Sequence, residues 1–357
     1  MTFRLPSRPF AAPLILLIAM SGLAMAQTAG EEPLVGAHGL GLPATFTGTL
    51  PCADCDGIAH HLDLFADQTW QMRREWLGGS EPLVEDGIGA WHADPSRSAI
   101  VLDGARAAPM LWEVKGNDRV RLMDLEGQPI ESDLPYELSA GPLDETDLSL
   151  PLGGMVTYLA DAAIFEHCVT GRTYPVAIED AWIDVERAYL EAVDGGTPLY
   201  ATFEGSIALR PAMEGPDRRT VTVDRFVGVF PGRTCESARA AADFANTFWR
   251  IATLGGAPVG ALDGRREPFL LFHADGAMNA TVGCNMMRGR YERDGEGLTF
   301  GPAASTMMAC PPPLDAAERA LRSALESTAG FILAADTLAL LDEEGGTIAT
   351  FAGAYLP

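Results

Sequence analysis

The sequence predicts a mainly β chain with α+β portions, and three observations carry that prediction. Residues 44–140 are short alternating runs cut by turns. Residues 152–236 hold strand-like runs around a single helical stretch, and the chain after residue 248 mixes strands with one helix. No internal repeat or low-complexity tract interrupts this pattern.

In the first stretch, His61-Leu62-Asp63-Leu64 and Trp70-Gln71-Met72 flank the turn Ala66-Asp67-Gln68. Ala99-Ile100-Val101-Leu102, Leu111-Trp112-Glu113-Val114 and Arg119-Val120-Arg121-Leu122 follow, separated by Asp-Pro, Asp-Gly and Gly-Asn turns. Strands at such spacing argue for an antiparallel barrel or sandwich over residues 43–140. Residues 27–42 read as a leader. Residues 141–151 (GPLDETDLSLP), acidic between two prolines, read as a linker.

In residues 152–236, Ile183, Ala188 and Tyr189 or Leu190 fall at helical spacing between strand-like runs such as Leu199-Tyr200-Ala201-Thr202-Phe203. Five strands and one helix suit a small closed barrel of the OB type. Residues 237–247 are Ala-rich and read as a helical connector. In residues 248–357, Pro311-Pro312-Pro313 precedes a helix with Asp315 and Glu318 as a capping pair and Leu314, Leu321 and Leu325 on one face.

Residues 1–26 read as an export signal: Arg4 and Arg8 form a basic start, Phe10 to Met20 is apolar, and Ala24-Met25-Ala26 is a small-x-small cleavage site before Gln27. An uncleaved anchor is the alternative, weighed down by that site. Cleavage takes the formal charge from −24 to −26, because the segment holds two arginines and no acid. A chain so acidic repels phosphates, which argues against nucleic acid as partner. A periplasmic location follows as the expectation.

The cysteines are Cys52, Cys55, Cys168, Cys235, Cys284 and Cys310. An even count in an oxidising compartment suggests pairing; six cysteines allow 15 connectivities, but these fall two by two into the three stretches. Cys52-Ala53-Asp54-Cys55 is the sharpest chemical feature. It lacks the helix start that activates a thioredoxin-type thiol, and Asp54 and Asp56 disfavour a thiolate. A structural or sensing disulfide is therefore expected over redox catalysis. A second reading gives the reduced pair to copper, since thiolates suit Cu(I) and His60 and His61 lie close in sequence. A strand puts those histidines on opposite faces, so at most one can join, and ordinary strand residues are the simpler account. Met286-Met287 and Met307-Met308 offer thioethers but read first as core filling. Gly-x-Ser-x-Gly, His-Glu-x-x-His and P-loop patterns are absent, and no enzyme activity or required cofactor is expected.

Two resemblances cover most of the chain. Phe46-Thr47-Gly48-Thr49-Leu50-Pro51-Cys52-Ala53-Asp54-Cys55-Asp56-Gly57-Ile58, Gly87-Ile88-Gly89-Ala90-Trp91, Glu126 to Ser132, Gly154-Met155, Cys168-Val169-Thr170-Gly171 and Glu186-Arg187-Ala188-Tyr189-Leu190 resemble the NlpE family of envelope-stress and copper-resistance lipoproteins. Phe248-Trp249, Gly283-Cys284-Asn285, Gly289-Arg290-Tyr291, Thr306-Met307-Met308-Ala309-Cys310 and Glu318 resemble the META domain, found also in HslJ. The first resemblance implies a lipocalin-like barrel over 43–140, an OB-like domain over 152–236, a Cys168–Cys235 disulfide and signalling to an envelope-stress sensor kinase. The second implies a compact α+β domain with no established catalytic centre. Cys284 with Cys310 is the natural third pair. NlpE surface sensors are lipoproteins, whereas no cysteine precedes Cys52 here, so a lipid anchor is not expected. A lipocalin-like barrel also suggests an alternative, a binding protein for a lipid or metal, with Trp70, Trp76, Trp91 and Trp112 as cavity-lining candidates against a core role.

Overall fold

The structure is a computed structural model that describes residues 34–35, 39–80, 82–104, 109–212, 215–237, 242–262 and 264–354. The export signal over 1–26, with its cleavage site, lies outside the described residues. No helix among the described residues is long and apolar enough to cross a membrane.

A short pairing of β1 (Leu34–Val35) with β2 (Gly41–Leu42) precedes the first barrel. The barrel's eight strands are β3 (Ala44–Leu50), β4 (Gly57–Leu64), β5 (Thr69–Leu77), β6 (Leu83–Asp94), β7 (Ala99–Asp103), β8 (Met110–Val114), β9 (Arg119–Leu122) and β10 (Glu137–Gly141). Each pairs antiparallel with its neighbours, and β10 returns to β3 to close the wall. Closure leaves no free sheet edge. Alternation sends Phe46, Leu62, Leu64, Trp70, Met72 and Trp112 inward. That interior is a packed core: Trp70 and Trp112 are fully buried, Trp91 is nearly so, and Trp76 lies half-buried under the Arg74 guanidinium. Trp70, Trp91 and Trp112 are therefore core residues, the role weighed against cavity lining.

The Gly-Ile-Gly-Ala-Trp run is explained by that packing. A Cβ on Gly89 would sit 2.8 Å from the Trp70 ring and collide with the Asp103 carbonyl. Its absence lets Trp70 Nε1 donate to the carbonyls of Ala90 and Asp103 at 2.9 and 3.0 Å. The leader reading of 27–42 needs correction at its end. Leu40 and Leu42 are buried members of the barrel core, a role that two apolar residues without a sustained period do not announce.

The second barrel comprises β11 (Leu148–Leu159), β12 (Ala162–His167), β13 (Thr173–Val176), α1 (Trp182–Ala192), β14 (Leu199–Arg210) and β15 (Arg218–Phe230). The strands close in the order β11-β12-β13-β15-β14, with β13 parallel to β15 and α1 between β13 and β14. This is the OB arrangement. The helix buries Trp182, Val185 and Tyr189, leaving Ile183 and Leu190 exposed. The expected face was thus half wrong: Tyr189 points inward, but the larger aromatic Trp182 takes the place of Ile183.

The linker is shorter than its composition indicates, because Leu148–Pro151 already belong to β11. Pro151 stands opposite Glu204. The N–H of Ser149, two residues earlier, points away from β14 to donate to Asp86 at 2.7 Å. By the two-residue period, the N–H that proline lacks would face that same side, so the ladder with β14 loses nothing. The linking residues 142–147 are held by both barrels, Glu145 and Asp147 pairing with Arg219 of the second. Asp144 N donates to Thr45 Oγ1 at 2.7 Å, and Thr146 N donates to Asp63 Oδ2 at 3.1 Å.

The third unit contains β16 (Phe248–Leu254), β17 (Ala257–Pro258), β18 (Phe269–Phe272), β19 (Ala277–Thr281), β20 (Met287–Asp294), β21 (Gly297–Phe300), β22 (Ala304–Ser305), α2 (Pro312–Ser327), β23 (Gly330–Ala334), β24 (Thr337–Leu341) and β25 (Thr347–Ala354). The sheet curls until β25 pairs with β16, and α2 contributes Leu321, Ala324 and Leu325 to its core beside Trp249 and Phe351. The proline run begins this helix: Pro311 is its N-cap and Pro312 its first residue. The expected Asp315–Glu318 capping pair does not form, and no side chain caps the helix. Pro312 and Pro313 have no N–H to satisfy, which frees Glu318 for other contacts.

The helical reading of connector 237–247 needs correction over its described part. A single 3₁₀ turn spans Cys235–Ser237, and the described residues 242–247 are not helical. Phe244 is pulled into the third core against Phe272 and Phe331, and Trp249 Nε1 donates to its carbonyl at 3.0 Å. Residues 238–241, which carry most of the alanines behind the helical reading, lie outside the described residues.

Candidate functional site

Cys52 and Cys55 lie in the loop joining β3 to β4 at one mouth of the first barrel and are joined by a disulfide, with Cα atoms 5.3 Å apart. Both are half-buried, between exposed Ala53, Asp54 and Asp56. Asp54 Oδ1 lies 3.5 Å from Cys52 Sγ, and the Gly57 carbonyl 3.3 Å from Cys55 Sγ. A carboxylate and a carbonyl facing the sulfurs disfavour thiolates, and β4, not a helix, follows the pair. This environment suits a bridge that forms or opens better than a thiol that attacks.

The histidines do not converge on these sulfurs. His60 points inward, with Nδ1 2.9 Å from the Ile58 carbonyl and its ring edge-on to Trp112. His61 points outward to the linker, its Nε2 2.8 Å from the Asp144 carbonyl and 3.3 Å from Asp63 Oδ1. The hydrogen bond to Asp63 raises the His61 pKa, against an opposing effect of burial. Among the described residues, the group of three potential metal-ligand side chains with donor atoms within 4.8 Å of one another is Cys284, Cys310 and Glu318, not the Cys52 region.

Cys168 follows β12 and is bridged to Cys235, which opens the 3₁₀ turn after β15, with Cα atoms 4.9 Å apart. The bond ties the end of the OB barrel back to its own wall across 67 residues of chain. Next to it, His167 is buried where the three units meet, in a crevice shared with Asp86, Ile88, Leu150 and Leu333. Nothing in the sequence singled out this residue, because its burial comes from elements distant in the chain. Burial pushes its pKa down to about 4, while its Nδ1 pairs with Thr170 Oγ1 at 3.0 Å.

The lowered pKa has a definite sign. Between pH 6.5 and 4 the unfolded chain binds a proton at His167 that the folded chain refuses. Folding stability is therefore expected to fall as pH drops through this window, by up to about 3 kcal/mol, and to level off below it. Urea unfolding at pH 7 and 4.5 should show this loss in the parent and a smaller one in His167→Gln. A ring that titrates near 6.5 in the native protein would contradict the assignment.

The third bridge joins Cys284, just after β19, to Cys310, just before α2, with Cα atoms 6.0 Å apart. Of the neighbouring methionines, Met287 is core, as expected. Met307 and Met308 are 97% and 56% exposed, so core filling does not describe them.

Two disulfide-bearing barrels, of eight-stranded and OB type, followed by a curled α+β sheet define a modular β protein with one local bridge in each unit. The NlpE N-terminal domain matches residues 46–133, the NlpE C-terminal OB domain residues 147–236, and the META domain residues 242–355. The chain is 33% identical over 199 residues to lipoprotein NlpE of Escherichia coli (strain K12), covering 55% of this chain and 82% of that protein. It belongs to the NlpE family. Among solved structures, the Cpx pathway activator NlpE from Escherichia coli is 33% identical over 55% of this chain and all of that one, with a TM-score of 0.25. A putative lipoprotein from Shewanella oneidensis is 29% identical over 28% of this chain and 89% of that one, also with a TM-score of 0.25.

Proposed function

We propose that this protein is a non-enzymatic envelope-stress component on the periplasmic side, exported by cleavage after Ala26, that acts on a sensor kinase as its Escherichia coli relative acts on the Cpx pathway. The family membership carries this reading, and the placement of the Cys52–Cys55 bridge gives it a mechanism. A bridge between residues three apart constrains the unfolded chain little, about 1.6 kcal/mol on the chain-entropy relation, against about 4 kcal/mol for Cys168–Cys235. The first bridge can therefore open without unfolding its barrel, and its loop lies exposed at the mouth. Opened, the two sulfurs become soft ligands suited to Cu(I), so copper load and failing disulfide formation converge on one loop.

The test is an envelope-stress reporter in a strain whose only copy carries Cys52→Ser and Cys55→Ser. The response to copper and to thiol stress should change at least several-fold, with protein abundance unchanged. A reporter response equal to that of the parent under both stresses would refute the mechanism, and an equal response in the deletion strain would refute the function.

A further inference from the structure

We propose that Cys284 and Cys310, once reduced, form with Glu318 a Zn²⁺ site in the third unit that the disulfide otherwise masks. The inference rests on this unit alone and does not depend on the function proposed above.

Glu318 is the unusual member. It projects from the second turn of α2 with its side chain only 14% exposed. Its Oε2 lies 3.6 Å from Cys310 Sγ. Its nearest cation, Arg322, is 3.9 Å from the other oxygen. A carboxylate directed onto a disulfide gains nothing from sulfur lone pairs, since a bridged sulfur has no proton to donate. The same oxygen beside two sulfur ligands makes a three-donor cradle, with all three donor atoms within 4.8 Å of one another.

Asn285 holds this cradle in shape. Its side-chain oxygen accepts from Met308 N at 2.7 Å and Thr306 Oγ1 at 2.9 Å. That fixes the amide orientation and sends the NH₂ group to Glu318 Oε2 at 3.0 Å and Cys310 Sγ at 3.2 Å. Asn285 is itself buried, and its carbonyl accepts from Thr281 Oγ1. A buried amide that orients two prospective ligands from behind is the outer shell a metal site requires. A fourth position is left to water, which the open cleft lined by Cys284, Thr306 and Met308 admits.

The donor set selects the metal. Two thiolates and one carboxylate mix soft and hard ligands, which suits borderline Zn²⁺ in tetrahedral geometry with water as fourth ligand. Cu(I) would leave the carboxylate unused. The chemistry balances with a dithiol reductant: its two thiols become a disulfide, the Cys284–Cys310 bond breaks, and each released sulfur takes a proton. Zn²⁺ then displaces both protons on binding. Oxidation of the unit and metal occupancy thus exclude one another.

The test titrates the full-length chain with Zn²⁺ against a chromogenic chelator, in the reduced and oxidised states, and repeats the reduced titration with Co²⁺ to read thiolate-to-metal charge transfer. The reduced chain should take up one equivalent that Cys52→Ser with Cys55→Ser leaves in place and Cys284→Ser abolishes. Glu318→Gln, which keeps the side-chain shape, should weaken it at least about tenfold while leaving the near-ultraviolet circular dichroism of the oxidised protein unchanged. The proposal fails if the oxidised chain binds equally well, if no thiolate band appears with Co²⁺, or if Glu318→Gln binds as the parent does. The Glu318 variant decides the matter even where Cys284→Ser is poorly folded.

Discussion

Replacing both Cys168 and Cys235 by serine is expected to lower the unfolding free energy of the OB barrel by about 4 kcal/mol. The bridge closes a 67-residue loop, so its loss returns to the unfolded chain the conformational freedom that the crosslink removed. A domain of fewer than 100 residues has a net stability of only about 5–15 kcal/mol, and this bridge supplies a large part of it. The consequence reaches further than the barrel, since Cys235 anchors the chain just before it enters the third unit. Denaturant unfolding of parent and variant under non-reducing conditions measures the difference. A loss under about 1 kcal/mol would show that the barrel holds Cys168 and Cys235 together without their bond, and would overturn the structural role given to this bridge.

Asp336→Ala is expected to cost about 3–5 kcal/mol, because it breaks a largely buried ion pair by removing one partner. Asp336 is fully buried in the turn between β23 and β24, where its carboxylate pairs with Arg233 of the OB unit. The Arg233 guanidinium also sits 5.2 Å from the centre of the Tyr200 ring. Tyr200 approaches Asp336 at 3.5 Å, and its phenol is held protonated, first by burial and then by the Asp336 charge. Around this pair Val227 packs with Ile332, Ala334, Ala339 and Leu341, and Thr337 Oγ1 donates to Thr202 Oγ1 at 2.9 Å. The junction is therefore a small core with one ion pair inside it. Removing both charges, as in Arg233→Met with Asp336→Leu, should cost less than removing the aspartate alone. Calorimetry of the three proteins makes the comparison. Equal losses in the single and double variants would mean that the pair matters only as packing volume.

The local parts of this fold were legible because short-range physics produces them. Ala99 to Leu102 and Leu111 to Val114 read as strands from side-chain type and spacing, and they are β7 and β8. Leu314, Leu321 and Leu325 read as one helical face and are buried together. Where two faces of a helix were both apolar, as with Trp182 and Ile183, spacing could not choose, since the choice belongs to the barrel that covers one of them. Pro151 looked like a boundary because a sequence does not say which side of a strand lacks a partner. Glu318 looked like a capping residue because its real partner, Asn285, lies 33 residues away. The chemistry-bearing contacts were the least legible part for the same reason: His167, Asn285 and Asp336 acquire their roles only when distant strands close around them.

The clamp between residues 142–147 and the first barrel bears on how this molecule can be dissected. Asp63 is wholly covered although it lies on the outer surface of its strand, because the backbone of Thr146 caps it, and Thr45 and His61 lean on the same few atoms. A recombinant fragment terminated at residue 141, where composition suggests a cut, would strip that lid and wet the carboxylate. Because Glu145 and Asp147 also pair with Arg219 of the second barrel, the tether serves both pieces, and the dissection that disturbs neither keeps the two barrels together.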